Sequence, residues 1–325
     1  MKSYKFILSC LLAPLCAAQA PLSSAQSYPA RPVRLLVPST PGGSVDTLAR
    51  AVSPKLGEKW GQQLVIDNRA GAGGVLAAET VAKAPPDGYT LLLGTVSALA
   101  TNVSLQKKLP YDPVRDFAAV SLLATQPLML VVNASLAAKS VDELTALARS
   151  RPGELTHSSA GNGTGSHLSA ELFKSLAKID LVHVPYKGIA PALLDVVSGR
   201  VSMTFPSTLS ALPHVRSGKV RALAVTGLKR SPAAPDVPTM NEAGVKGYES
   251  STWYGVVAPA ATPVAVVNKL SGDLAYAIRL DDLRERMSHE GLELVGSTPA
   301  QFRQFMVNEI EKWGRLIKSR GIQAG

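Results

Sequence analysis

Two glycine-rich turns contain the residues of this chain whose types and spacing could do chemistry. The first turn reads PSTPGGSVD at residues 38–46, and the second reads SSAGNGTGSH at residues 158–167. Each follows a short apolar run and precedes an amphipathic helix. Glycine allows close backbone approach, and a helix start offers N–H groups and the positive end of a dipole, so each turn suits an anion. The pair predicts two walls of one site.

Short β-branched strands alternating with helices must position these turns. Residues 33–37, 64–66 and 89–93 are predicted strands separated by helices near 48–60 and 75–83, which is typical of a parallel βαβαβ unit. A second unit follows, with helices at 141–149, 168–176 and 191–197 and strands at 182–184, 201–205 and 222–225. A last helix begins at Thr298-Pro299, a favourable cap and first residue. The sequence predicts an α/β protein with two lobes.

The segment 117–138 contains no charged residue and is long enough to span a bilayer. However, Gln126 and Pro127 interrupt its centre, and Asn133 and Ser135 follow. A spanning helix would bury these polar groups in lipid, which is unfavourable. Two buried strands joined at a proline break fit the segment better.

The N-terminus has the layout of a secretory signal peptide. A short basic start, MKSYK, precedes an apolar run at residues 6–18, and Ser23-Ser24-Ala25 offers a cleavage point before Gln26. We expect residues 1–25 to be removed and the mature protein to be secreted.

Composition excludes several classes of function. Both cysteines, Cys10 and Cys16, lie within the predicted signal peptide, so the mature chain has no thiol chemistry and depends on its hydrophobic core. The formal charge is +10, and removing Lys2 and Lys5 leaves +8. These charges are scattered rather than forming the basic stripe of a nucleic-acid-binding protein. A diffuse positive field favours encounter with a small anion, although it also serves solubility.

Seven motifs in order carry a resemblance to a known family. They are PGGSVDTLAR at 41–50, NRAGAGG at 68–74, PDGYTL at 86–91, SAGNGT at 159–164 with His167, VPYKG at 184–188, PDVPT at 235–239 and WYGVVAP at 253–259. From about Tyr28 onward, the chain resembles the Bug family of extracytoplasmic solute receptors, the binding component of tripartite tricarboxylate transporters. The resemblance implies a carboxylate ligand, transporter membrane subunits as partners, a monomer, and no cofactor, metal or catalytic residue.

The resemblance also implies a type II periplasmic-binding-protein fold with a ligand cleft between its lobes. The chain would then cross between lobes twice, near Thr125 and near Glu249. We therefore expect a discontinuous first lobe, residues 26–125 plus 249–325, and a second lobe at residues 126–248.

In that family the ligand carboxylate is held mostly by backbone amides, hydroxyls and ordered waters from the two turns. Carried over to this chain, the predicted ligand-binding residues are Thr40, Gly42, Gly43, Asp46, Thr95, Ser159, Ala160, Gly161, Gly163, Thr164, His167 and Asp195.

Three of these residues have alternative roles. Asp46 would either stabilise the start of its helix or contact a donor group of the ligand. His167 would either fasten its turn or reach the carboxylate. Asp195 would contact the ligand or a bridging water, or neither.

Three functions compete. The first is a periplasmic receptor that delivers a small carboxylate to a transporter, and the second is a sensor subunit that signals through a membrane protein. The third is a hydrolase, which the sequence disfavours because Ser166 and His167 are adjacent on a helix and no Gly-x-Ser-x-Gly elbow is present. The glycine spacing at 161–165 also differs from a dinucleotide-binding fingerprint.

Overall fold

The computed structural model describes residues 28–323, so the predicted signal peptide lies outside the described residues. The strands are β1 (Val33–Val37), β2 (Leu64–Asn68), β3 (Thr90–Thr95), β4 (Phe117–Pro127), β5 (Met129–Asn133), β6 (Thr156–Ser159), β7 (Val182–Pro185), β8 (Met203–Thr204), β9 (Val220–Val225), β10 (Ser251–Pro259) and β11 (Glu293–Leu294). The helices are α1 (Ser44–Trp60), α2 (Val75–Ala82), α3 (Asn102–Leu105), α4 (Val141–Ser150), α5 (Gly165–Ala177), α6 (Ile189–Val197), α7 (Thr208–Arg216), α8 (Val264–Ala277), α9 (Asp281–His289) and α10 (Pro299–Arg320).

The strands form two sheets, which confirms the predicted two-lobed α/β fold. The first sheet has the order β11-β4-β10-β3-β1-β2, and the second has the order β7-β6-β8-β5-β9. We call each sheet with its packed helices the first and the second lobe. The predicted βαβαβ unit is correct, because β1 pairs in parallel with both β2 and β3.

Both sheets also contain antiparallel strands that the local pattern did not predict. In the first sheet, β10 pairs antiparallel with β3 and β4, and in the second, β5 pairs antiparallel with β8 and β9. The predicted strand at 201–205 is reduced to β8, which has two residues. The direction of a strand depends on where the chain enters the sheet, and that is not encoded by alternation of its side chains.

The chain passes between the sheets at the proline break predicted within residues 117–138. Strand β4 ends at Pro127 in the first sheet and β5 begins at Met129 in the second. Leu128 lies between them and makes two hydrogen bonds with Thr226. The Leu128 N–H donates to Thr226 Oγ1 (2.7 Å), and the Leu128 carbonyl oxygen accepts from the Thr226 N–H (2.8 Å). The chain returns to the first sheet at Ser251, where β10 begins.

Apolar residues cover both faces of each sheet. In the first lobe, α1, α8 and α9 pack on one face and α2 and α10 on the other. Helix α10 begins with a complete capping box between Thr298 and Gln301, and it buries Phe302, Met306 and Trp313. In the second lobe, α4 and α5 cover one face and α6 and α7 the other. Within residues 28–323, no helix combines the length and apolar character needed to cross a bilayer.

Candidate functional site

The first glycine turn connects β1 to α1 and is exposed to solvent at Thr40, Gly42 and Gly43. Gly42 has a φ of +90°, which favours glycine at this position. Gly43 is the N-cap of α1, and no side chain caps that helix start. The first N–H groups of a helix have no partner within it, so the start of α1 keeps free donors.

Asp46 holds this turn in shape. Its buried carboxylate accepts hydrogen bonds of 2.9 Å from the Gly42 N–H, from Arg50 Nε and from Asn68 Nδ2. Burial alone would raise the pKa of Asp46, but these hydrogen bonds and the Arg50 charge together lower it below the usual value. Asp46 is therefore ionised at neutral pH. These contacts fix the turn at the start of α1.

The second glycine turn connects β6 to α5, and side chains hold three of its N–H groups. Ala160 donates to Ser166 Oγ (2.9 Å), Gly161 to Ser159 Oγ (3.1 Å), and Gly163 to His167 Nδ1 (3.1 Å). These amides are not free, contrary to the expectation from the sequence, because nearby polar side chains fold back onto the turn. The free donors lie at the start of α5, where no side chain caps the helix.

His167 is placed as the turn-fastening alternative requires. Its ring is buried, and its Nδ1 accepts the Gly163 N–H. Because Nδ1 is an acceptor, the proton of the neutral ring is on Nε2. Burial, helped by neighbouring His157, lowers the pKa of His167 to about 4.

The two helix starts converge on the first half of β10. The Tyr254 hydroxyl lies close to the side chains of Ser44, at the start of α1, and of Thr252. A Cβ placed on Gly165, at the start of α5, would be 3.3 Å from the Thr252 Cβ. Burial raises the pKa of Tyr254 to about 12, so its hydroxyl is neutral and donates to Gln126 Oε1 at 2.9 Å.

The second turn also packs against the first lobe. The Gly163 carbonyl oxygen accepts hydrogen bonds from Thr101 Oγ1 (3.1 Å) and Ser97 Oγ (3.3 Å). Both belong to a π-helical turn, Ser97–Thr101, that follows β3. A Cβ on Gly163 would be 2.1 Å from Leu105 Cδ1, so a larger residue would force the lobes apart or displace Leu105.

Two other predicted residues lie at the ends of elements and have protein partners. Thr95 ends β3, and its Oγ1 accepts the Ala98 N–H at 3.4 Å. Asp195 lies on α6, where it accepts from the Tyr186 hydroxyl (2.5 Å) and Arg200 Nη1 (2.9 Å). The Tyr186 hydrogen bond makes the largest contribution to the pKa of Asp195, and together with the Arg200 charge and hydrogen bond it outweighs the opposing effect of burial and lowers that pKa. A ligand contact of either residue stays a prediction.

The sequence prediction omitted several residues that shape this region, namely Ser44, Ser97, Thr101, His183, Thr252 and Tyr254. Ser44 and Tyr254 lie inside two of the recognised motifs, which was an available signal. Ser97 and Thr101 are four residues apart on one helical face, but their partner, Gly163, is more than sixty residues away along the chain. No local pattern indicates that contact.

No group of three or more His, Cys, Asp or Glu side chains in residues 28–323 is arranged to hold a metal ion. The starts of α1 and α5 offer hydrogen-bond donors and the positive ends of two helix dipoles. Two α/β lobes joined by crossing strands, with an uncapped helix start of each lobe close to the first half of β10, are the architecture of a solute-binding protein.

The model of the tripartite tricarboxylate transporter family receptor matches residues 48–322 of this chain. BugT of Bordetella pertussis is 39% identical over 299 residues, covering 92% of each protein. The structure of Rhodopseudomonas palustris Rpa4515 with adipate is 40% identical, with a TM-score of 0.83, covering 92% of this chain and 100% of that one. MatC from the same species, with bound malate, is 35% identical, with a TM-score of 0.79, covering 89% and 100%. The chain belongs to this receptor family, which confirms the resemblance to Bug proteins.

Proposed function

We propose that this chain is a periplasmic receptor that binds a small dicarboxylate between its lobes and delivers it to the membrane subunits of a tripartite tricarboxylate transporter. The observation that carries the proposal is the convergence of two uncapped helix starts, at Ser44 and Gly165, on the hydroxyls of Thr252 and Tyr254. Related structures contain adipate and malate, which are both dicarboxylates.

A carboxylate suits these helix starts for a physical reason. Each start carries about half a positive charge from its dipole, and a nearby anion gains about 0.3–1 kcal/mol at an exposed helix end and more when it is partly buried. Two starts acting on one carboxylate add their fields, and free N–H groups supply hydrogen bonds. Removing Lys2 and Lys5 with the signal peptide leaves a charge of +8, which steers an anion toward the protein.

A hydrolytic reaction has less support. Ser159 Oγ lies 2.6 Å from His183 Nε2, which is the spacing of a nucleophile and its base. However, Ser159 is fully buried, and its Oγ also accepts the Gly161 N–H. Ser166 and His167 hold separate amides of the turn. We propose that the ligand is released unchanged.

The lobe boundaries, at residues 26–125 plus 249–325 and 126–248, and the monomeric state belong to the same proposal. The exchange of hydrogen bonds between Leu128 and Thr226 supports a hinge near the first boundary. Export through the predicted signal peptide would place the receptor in the periplasm.

Thermal unfolding in the presence of a panel of acids tests the proposal. At one hundred times its dissociation constant, a ligand adds about 2.7 kcal/mol to the free energy of unfolding. We expect adipate, malate or another small dicarboxylate to raise the Tm by several degrees. The matched dimethyl ester should give no shift, since it lacks the charge that the helix starts stabilise, and the acid should be recovered chemically unchanged. A shift with neutral sugars but with no acid would contradict the anion site.

Capture of the membrane partner tests the delivery step. Ligand-loaded receptor should retain transporter subunits from solubilised membranes, and ligand-free receptor should retain less. Retention of a membrane signalling protein instead would favour the sensor function.

A further inference from the structure

Three histidines form a stack against the second glycine turn, with His157 and His167 buried and His183 partly buried. His167 and His183 are nearly parallel, with ring centroids 3.9 Å apart and an interplanar angle of 9°, and His157 lies 4.8 Å from His183 at 15°. We call these residues the histidine stack. The stack is built from three elements, because His157 is on β6, His183 is its register partner on β7, and His167 is at the start of α5.

Two members of the stack hold the turn through their ring nitrogens. His167 Nδ1 accepts the Gly163 N–H, and the Gly163 carbonyl oxygen accepts from Thr101 and Ser97 of the first lobe. His183 Nε2 lies 2.6 Å from Ser159 Oγ, which in turn accepts the Gly161 N–H. The backbone of the turn therefore depends on the state of these rings.

The charged groups around the stack are Glu171 and Lys174 on α5 and Arg320 on α10. Glu171 Oε1 lies 3.5 Å from His157 Nε2, and the Glu171 carboxylate also accepts from Lys174 Nζ (2.6 Å) and Arg320 Nε (3.0 Å). Neither ring nitrogen of His157 has a hydrogen-bond partner within the described part of the chain. The Glu171 carboxylate thus already pairs with the Lys174 and Arg320 cations, so it adds little stabilisation for a protonated histidine in the stack.

Burial and the neighbouring rings keep the stack neutral. Burial lowers the pKa of all three histidines, and the neighbouring rings lower it further for two of them, to about 4 for His167 and about 3 for His183. Two imidazolium rings with centroids 3.9 Å apart would repel strongly, because little water separates them.

We propose that His167 and His183 are positioning residues for the carboxylate-binding turn, and that the histidine stack makes ligand binding sensitive to acid. This inference rests on the proposed carboxylate site. At neutral pH, His167 Nδ1 accepts the Gly163 N–H. A proton added to Nδ1 converts this acceptor into a donor that faces another donor, so the hydrogen bond breaks and Gly163 is released.

The direction of the pH effect follows from the lowered pKa values. An unfolded or locally opened histidine has the ordinary pKa of 6.5, whereas His167 in the folded turn has a pKa of about 4. The opened state therefore takes up more protons in this window. The contribution of the stack to the stability of the turn is complete above the ordinary pKa and is lost as the pH falls toward about 4.

His167→Asn tests the proposal because an asparagine Oδ1 can accept the Gly163 N–H but cannot be protonated. Calorimetry would give the Kd for adipate from pH 7.5 to pH 3.5, with each protein compared to its own value at pH 7.5. The ligand's own titration is common to both proteins and cancels. We expect the Kd of the unsubstituted protein to rise about fourfold more than that of H167N by pH 3.5. This is the rise produced when one proton, bound to His167 with a pKa of about 4, prevents ligand binding.

His289→Asn is the matched control, since His289 is an exposed residue of α9. It should retain the full acid response. Equal responses of H167N and the unsubstituted protein would overturn the proposal. His183→Gln, which keeps an amide near Ser159 Oγ, provides a second variant if H167N does not fold, and its acid response should also be reduced.

A ligand-free measurement separates this proposal from the proposed function. In nitrogen-15 NMR spectra, the Gly163 amide resonance should shift with a midpoint near the His167 pKa of about 4, and it should not shift in H167N. If no acid of the panel binds at pH 7.5, the carboxylate function fails while this readout still decides the role of the stack. A Gly163 resonance that is unchanged through the titration would refute it. Acid could unfold the protein before the Gly163 resonance shifts. In that case, unfolding of the unsubstituted protein and of H167N at the same pH would also refute the proposal.

Discussion

The Thr101 hydroxyl donates a hydrogen bond of 3.1 Å to the carbonyl oxygen of Gly163, which joins the two lobes at the second glycine turn. Thr101 is fully buried, and Ser97 Oγ reaches the same oxygen at 3.3 Å. The second glycine turn, in one lobe, is thus held by hydroxyls of the other lobe. We therefore expect closure of the lobes and the shape of the turn to be coupled.

Thr101→Val should weaken this coupling. The substitution retains the branched shape of the side chain but removes its hydroxyl. Loss of one hydrogen bond lowers the free energy of unfolding by about 1 kcal/mol, and by less where the Ser97 hydroxyl still satisfies the Gly163 oxygen. We expect a small decrease in the free energy of unfolding and a weaker affinity for the carboxylate, measured by urea unfolding and calorimetry. Thr80→Val is the control, because the Thr80 hydroxyl donates to Leu76 within its own helix. Unchanged affinity in the Thr101→Val, Ser97→Ala double variant would contradict the coupling.

Gly43→Asp should abolish ligand binding without destabilising the free protein. Gly43 has a φ of −81° and a ψ of 166°, and a Cβ there meets no atom within 4 Å, so the new side chain fits. An aspartate N-cap accepts the free N–H groups of α1 and places a negative charge where the carboxylate would bind.

Gly43→Asn is the matched neutral control, because asparagine caps the helix equally well without the charge. It should reduce affinity less than Gly43→Asp does. Tm measurements with and without the dicarboxylate compare the two variants. Retained binding by Gly43→Asp would exclude the start of α1 from the site.

Glu171→Gln should destabilise the protein. The carboxylate is buried and pairs with Lys174 and Arg320, so its removal leaves two cations near the histidine stack without their partner. We expect a loss of about 3 kcal/mol in the free energy of unfolding, as for other broken buried ion pairs. Glu285→Gln removes an exposed carboxylate that faces His289 and should have little effect in the same urea titration.

Saturating ligand should reduce the radius of gyration. The lobes are connected where Leu128 pairs with Thr226 and where β10 begins at Ser251, and closure about such crossings is the usual response of two-lobed receptors. Small-angle X-ray scattering with and without the dicarboxylate measures this change. Identical scattering at saturation would indicate that the hinge does not move.

The sequence by itself determined the local elements, and it predicts the type of site. Periodicity located the strands of the first βαβαβ unit, and the polar break at Gln126-Pro127 located the point where one buried strand ends and the next begins. The Thr298-Pro299 pair located the start of α10. These features depend on neighbouring residues along the chain, so local physical rules are sufficient to find them.

Only the tertiary structure decided which donors are free and what holds the turns. The amides of Ala160, Gly161 and Gly163 are held by side chains, so the free donors belong to the helix starts instead. His157 and His183 meet because β6 and β7 pair in register, and the start of α5 adds His167 to them. Such contacts join residues distant in sequence, and the packing of whole elements sets them. The sequence therefore predicts an anion-binding turn but not the histidine stack that supports it.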